Sequence, residues 1–381
     1  MGVQKTSLNK EKIKNILQNE YDITPIEISP INRGTANIFK IVALGKCYIL
    51  KEFTNKRTEK TVMKEIDIIN FLQEENIKVP KYVKTINGSF YTKNEDRIII
   101  VQEFIDGYVV QDNTRNYEET MECARILGNL TKALLNYNKL SDENILEEQF
   151  SKARLQQGIQ ELQELKQKLQ GMSCSSNSMK NLANKYTEQI IKDIDYKIRI
   201  CKEIEEKFDF NIINKLTILN SHGDFCTQQL IYNDCGEPTI IDFEKAKKLP
   251  IVWEIIRSYC YTDEAVIKGK ININNLVNYF KIFNDYIKLN EYDLKYASYV
   301  YLLQLISSTF GYKEYVNDTN QVELLKFAFF RTNICKDLYD KKEEISKELV
   351  KNVKWKIKDY YSRNKNRFVN SRRTYLLIFL T

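Results

Sequence analysis

Apolar and polar positions change their period several times along the first hundred residues. In residues 8–21, Leu8, Ile13, Ile16 and Leu17 recur near helical spacing, which predicts a short amphipathic helix. The runs 23–31, 37–44 and 47–53 read as strands, and Gly45-Lys46 joins the last two as a hairpin. Ile66, Ile69 and Leu72 mark one face of a helix predicted over 56–75. Two further strands are expected around 89–91 and 97–104, before Ile105-Asp106-Gly107 breaks the pattern. Five strands and a helix closed by a glycine predict a small α+β lobe over residues 1–105.

From residue 106 to 381 the pattern is mostly helical. Residues 117–137 form one strong helical segment. Residues 141–208 are rich in Glu, Lys and Gln, with apolar residues at helical spacing and a Gly-Met-Ser-Cys-Ser-Ser-Asn break from Gly171. This predicts two long helices inserted as a solvated hairpin, with a cover over a substrate as the alternative. After Leu219 short apolar runs and turns take over, and helices resume at Ile251. Gly (12) and Pro (5) are scarce, which agrees with long helices.

The net charge of +7 sits in the tail. Between Lys351 and Arg373, nine Lys or Arg face only Asp359, so this stretch contributes +8 and the rest carries −1. A nucleic-acid-binding body is therefore not expected. The tail (351–381) interleaves cations with Trp355, Tyr360, Tyr361 and Phe368 and reads as a solvated terminal helix that packs Val353, Trp355 and Ile357, with a nucleic-acid or anionic-surface contact as the alternative. Its apolar end is too short to span a bilayer. Eight scattered cysteines without a C-x-x-C pair, and an N-terminus lacking an apolar h-region, predict reduced thiols and a cytoplasmic protein. A single histidine, His222, excludes multi-histidine metal sites, and any Ser-His-Asp arrangement would have to use it.

The chemistry concentrates between Leu219 and Ala246. His222, Asp224 and Gln229 precede the strand Leu230-Ile231-Tyr232. After a turn with Gly236 and Pro238, a second strand ends in Asp242. Such a hairpin brings its ends together and would place Asp224, Gln229 and Asp242 around one pocket. Two carboxylates and an amide oxygen suit Mg²⁺ rather than a soft metal. One carboxylate on metal and another orienting a hydroxyl is the division that phosphoryl transfer requires.

His222-Gly223-Asp224, followed after eighteen residues by Asp242, resembles the aminoglycoside phosphotransferase and choline kinase-like family, small-molecule relatives of the protein kinases. The resemblance spans roughly Ile23 to Tyr339 and implies a bilobal protein-kinase-like fold. It implies Asp224 as the catalytic or hydroxyl-orienting residue, Asp242 as the principal Mg²⁺ ligand and His222 as a structural prop. The family's Asn falls at Gln229, which would ligate Mg²⁺ one methylene further out or through water, or would mark a weakened enzyme. The segment from Pro250 to Arg257 resembles the family's stretch after the metal Asp, with Glu254 where an Asp usually braces the catalytic loop.

The same resemblance implies a lysine on the third strand, Lys51, held by a helix carboxylate, Glu65, to bind nucleotide phosphates. Backbone N–H groups from Gly34, with Thr35, would approach those phosphates. Adenine would meet backbone groups of Glu103 and Ile105. Asp263 and Glu264 lie where acceptor-binding residues often occur and would attract a cation, with solvated surface acids as the alternative. The expected activity is ATP- or GTP-dependent, Mg²⁺-dependent phosphate transfer to a hydroxyl of a small molecule: an aminoglycoside, an amino alcohol or a sugar. The near-neutral body offers no acidic signature for a polycationic drug. The alternative is an inactive or weak binding protein of the spore-coat-associated type, which the sequence also resembles, and which would place the chain in a spore coat.

Overall fold

The computed structural model describes residues 6–31, 36–54, 57–140, 145–173 and 180–355. Gly34, Thr35 and the tail from residue 356 onward lie outside the described residues. Helix α1 (Lys10–Tyr21) starts at Asn9, whose side chain accepts from the Lys12 N–H. Strands β1 (Pro25–Ile31), β2 (Asn37–Ala43), β3 (Lys46–Glu52), β4 (Thr92–Asn94) and β5 (Arg97–Glu103) form one antiparallel sheet in the order β1-β2-β3-β5-β4.

Helix α2 (Glu59–Glu74) begins at a Thr58 capping box. The sheet lies between two helices, and this explains the unbroken apolar run of β5. Ile99 and Val101 pack with Ile13, Leu17 and Leu50 on the α1 side. Ile98 and Ile100 pack with Val62 and Ile66 of α2 on the other. The fourth strand falls at 92–94 rather than around 89–91. Glu95 and Asp96 turn the hairpin, Glu95 with positive φ, so Asn94 pairs directly with Arg97. The aromatic Phe90 and Tyr91 instead pack beside the α2 core.

Past residue 104 the chain enters β6 (Tyr108–Val109), which pairs with β8 (Leu230–Tyr232) of the β8–β9 hairpin, where β9 is Pro238–Ile240. Gly107 is required there: its φ is +149° and a Cβ would stand 2.2 Å from the Tyr232 carbonyl oxygen. Strand β7 (Ile218–Ser221) pairs with β10 (Lys247–Pro250). The helical part contains α3 (Tyr117–Leu134), α4 (Ile145–Phe150), α5 (Lys152–Ser173), α6 (Lys180–Lys207), α7 (Ile251–Thr262), α8 (Ile273–Tyr286), α9 (Glu291–Ile306), α10 (Tyr312–Asn317) and α11 (Val322–Asn352). Among the described residues no helix is long and apolar enough to cross a membrane.

The inserted helices are not a solvated hairpin. Leu162, Leu165 and Leu169 of α5 and Ile190 and Ile194 of α6 share a buried cluster with Tyr312 and Tyr315 of α10. Asp193 accepts from the Tyr312 hydroxyl and from Lys336, both at 2.8 Å. Buried Lys197 donates to the carbonyls of Leu305 (2.9 Å) and Ser308 (2.8 Å) just where α9 ends, and burial pushes its pKa down to about 8.

Candidate active site

The loop after β7 is fixed from beneath by α7. Glu254, fully buried, accepts N–H bonds from His222 (3.0 Å), Gly223 (2.6 Å) and Phe225 (3.4 Å). Burial pushes its carboxyl above the usual range, opposed by His222 and these N–H donors. His222 is also fully buried. Its Nε2 lies 2.9 Å from the Ile241 carbonyl, and its ring sits between Phe225 and Phe243. Gly223 has φ +81°, and a Cβ there would meet the Lys245 carbonyl oxygen at 2.0 Å, so only glycine lets this loop lie against the segment after Asp242.

That packing sets Asp224 in the lining of a cavity of about 620 Å³. Lys245 donates to its Oδ2 at 2.7 Å and Arg257 to its Oδ1. Burial works against the charge, but Arg257 and Lys245 outweigh it and hold the carboxyl below the usual carboxylate range. The cavity is walled by α5 (Arg154, Glu161), α7 (Trp253, Arg257) and α11 (Phe327, Arg331). Helix α5 of the insertion therefore contributes to the wall of this cavity.

Asp242 follows β9 with φ 68° and ψ 66°, a left-handed conformation that Asp tolerates better than most residues and that marks a constrained position. The Ile241 N–H bonds the Gln229 carbonyl at 2.9 Å, so Gln229 and Asp242 lie on adjoining chain segments. Both offer only oxygen. Among the described residues no group of three or more His, Cys, Asp or Glu side chains could hold a metal ion by itself. This donor set fits Mg²⁺, which takes one or two carboxylates and fills its shell with phosphate oxygens and water.

Glu65 is buried on α2, and its short ion pair is with Arg57 (2.8 Å), not with Lys51. Arg57 also bonds Glu244 at 2.8 Å, and Lys64 donates to the carbonyls of Glu244 (3.2 Å) and Ala246 (2.9 Å). Helix α2 is thus tied to the segment that follows Asp242. Burial raises the Glu65 carboxyl. Lys51 lowers it and Asp242 raises it through space, so these three charges share one electrostatic neighbourhood.

At the connection, the Glu103 N–H is already bonded to the Lys81 carbonyl at 2.8 Å, so an adenine contact there is limited to the carbonyl. Glu103 and Ile105 border a cavity of about 380 Å³ together with Pro80 and Thr239. Asp263 and Glu264 do not line the cavity beside Asp224. Asp263 is buried, with its carboxylate on the Ala265 N–H (2.8 Å) and on Asn275 (2.9 Å); Glu264 is exposed. A helix-end carboxylate that caps the next turn is spent on structure rather than on a substrate.

Asp112 was not singled out by the sequence. It accepts from the Thr227 hydroxyl at 3.5 Å, and its carboxyl is pushed up to about 6, by burial first and by nearby Asp224 as well, against Arg257 and Thr227. A raised folded-state pKa means that the protonated form is the stabilised one. The stability it gives is present below the unfolded value of 3.8 and is lost as pH rises through about 6. Asp112→Asn, which mimics the protonated acid, is therefore expected to stabilise the fold by about 2 kcal/mol at pH 7.5. The gain should shrink towards zero at pH 4, as read by denaturant melts at both pH values. A variant no more stable than the parent at pH 7.5 contradicts this.

The sequence profile described as "Phosphotransferase enzyme family" matches residues 27–269. That is well over half of the chain, and the chain belongs to this family. It is a member of a phosphotransferase family with a kinase-like bilobal fold. No curated protein matches the sequence. Among solved structures, spectinomycin phosphotransferase in complex with ADP and spectinomycin is similar at 14% identity and a TM-score of 0.62, covering 90% of this chain and 100% of that one. An aminoglycoside phosphotransferase from Alicyclobacillus acidocaldarius gives 14%, 0.57, 90% and 98%. Amicoumacin kinase in complex with AMP-PNP, Ca²⁺ and Ami gives 14%, 0.55, 86% and 94%.

Proposed function

We propose that the chain moves the γ-phosphoryl group of ATP or GTP to a hydroxyl of a small molecule bound in the cavity beside Asp224. The observation that carries this reading is that Lys51 and Asp242 both act on buried Glu65 through space while Asp224 lines that cavity. Asp224 orients the acceptor hydroxyl, whose oxygen attacks the γ-phosphorus as the bond to the nucleoside diphosphate breaks. The hydroxyl proton leaves towards Asp224 or the transferred phosphoryl oxygens. Lys51 neutralises the α/β-phosphates, and Glu65 and Arg57 set the charge around it. Asp242 and Gln229 would hold Mg²⁺, which when bound offsets phosphate charge. Ile105, with its N–H unbonded among the described residues, and the Glu103 carbonyl would meet the base. His222 and Glu254 hold the loop. The nucleotides in the similar structures support this reading.

The test is thermal unfolding with and without MgATP and MgGTP, followed by an acceptor screen that reads nucleotide consumption. At one hundred times Kd, nucleotide is expected to stabilise the fold by about 2.7 kcal/mol. Lys51→Ala should remove most of that gain. A flat response to both nucleotides with Mg²⁺ sinks the proposal and favours a non-catalytic role on the same fold.

A further inference from the structure

The cavity beside Asp224 is not neutral. Six cations line it (Arg154, Lys245, Lys247, Arg257, Lys313 and Arg331) against three acids, Glu161, Asp224 and Glu314. The acids are already engaged. Glu161 faces Arg154 at 3.4 Å, Asp224 holds both Lys245 and Arg257, and Glu314 accepts the Gly311 N–H at 2.6 Å. Lys247 has no ion pair among the described residues, and burial together with neighbouring Lys245 and Lys64 holds its ammonium below the usual lysine range.

Arg331 of α11 is the clearest surplus charge. Its guanidinium lies against the rings of Phe310 and Phe327, 5.8 Å from each centroid. Its Nε is buried without an acceptor, and among the described residues no carboxylate lies within ion-pair distance. A part-buried guanidinium without an anion is costly, and its planar fork matches a carboxylate or a phosphate. Aromatic rings connect it to the reactive end. Phe327 stacks on Tyr261 at 5.7 Å, and Arg257 lies over Tyr261 at 4.9 Å while it holds Asp224. One wall therefore runs from Asp224 through apolar rings to an unmatched cation.

We propose that the acceptor is an anion: a hydroxylated molecule with an apolar body, whose carboxylate or phosphate docks on Arg331 while its hydroxyl lies at Asp224. This rests on reading the cavity as the acceptor site. It runs against amino alcohols and polycationic drugs, whose charge the surplus cations repel.

The test is calorimetric titration of the full chain with 4-(hydroxymethyl)phenylacetate, whose hydroxyl and carboxylate sit at opposite ends of an apolar ring, and with 4-(hydroxymethyl)benzylamine, which carries an ammonium in place of the carboxylate. Acetate and inorganic phosphate form separate arms that tell a carboxylate site from a phosphate site. The acid is expected to bind at least tenfold more tightly than the amine. Arg331→Gln should weaken it about tenfold or more (~1.4 kcal/mol) and leave the amine unchanged. Arg331→Lys, which keeps the charge without the fork, should fall between and serves alone if the Gln variant does not fold. Tighter binding of the amine, anion binding indifferent to Arg331, or no anion binding overturns the inference. The MgATP response is measured separately. Anion binding through Arg331 without a nucleotide response would sink the proposed function and leave this site standing, and the reverse result would sink only this site.

Discussion

Asp224→Ala is expected to lower kcat by ~10²–10⁴-fold, the range that a positioned acid–base group contributes. Lys245 and Arg257 hold the carboxyl in place and hold its pKa down. A depressed pKa makes Asp224 a weak proton acceptor but a well-fixed anion, so most of its effect comes from orienting the hydroxyl for in-line attack. Two consequences separate this from a simple packing role. Asp224→Asn keeps the volume and removes the charge, so it should lose nearly as much rate as Ala with little change in KM. Because the folded carboxyl is held below the ordinary carboxylate range, activity should not fall on Asp224's account as the pH drops towards that range. Steady-state kinetics that report nucleotide consumption check both. A variant as fast as the parent removes Asp224 from the chemistry.

The parts of this site that could be read from the chain are those encoded locally. Leu230-Ile231-Tyr232 and the run ending in Asp242 are short apolar stretches around a Gly-containing turn, so hairpin pairing had to bring Gln229 near Asp242. The antiparallel sheet followed in the same way from period-two runs and glycine turns. What could not be read depends on which distant groups meet. Arg57 falls at the polar start of the predicted helix, off the apolar face that marks it, yet it takes the Glu65 carboxylate expected to face Lys51. Residues Lys152–Lys207 look solvated by composition, because one apolar stripe among many charges says nothing of what covers it; α10 does. Arg257 and Arg331 come from helices far apart in sequence, and only the tertiary fold puts both on one wall. Asp263 misled because an acid just past a helix looks the same whether it faces water or caps the next turn.

Glu254→Ala is expected to cost about 3 kcal/mol or more of unfolding free energy, because it leaves the His222, Gly223 and Phe225 N–H groups buried without an acceptor at ~1–3 kcal/mol each. The loss is not confined to stability. These N–H groups belong to the residues on either side of Asp224, and His222 carries the loop's contact to the Ile241 carbonyl beside Asp242. Loosening them separates the two carboxylates that must act together, so kcat should fall further than the population of folded protein explains. Glu254→Gln retains one acceptor oxygen but loses the charge, and should recover roughly half of the stability. Denaturant unfolding of both variants, paired with kinetics at a temperature where each is fully folded, reads the two effects separately. An alanine variant within about 1 kcal/mol of the parent would mean that water satisfies the loop and that the brace is not what fixes Asp224.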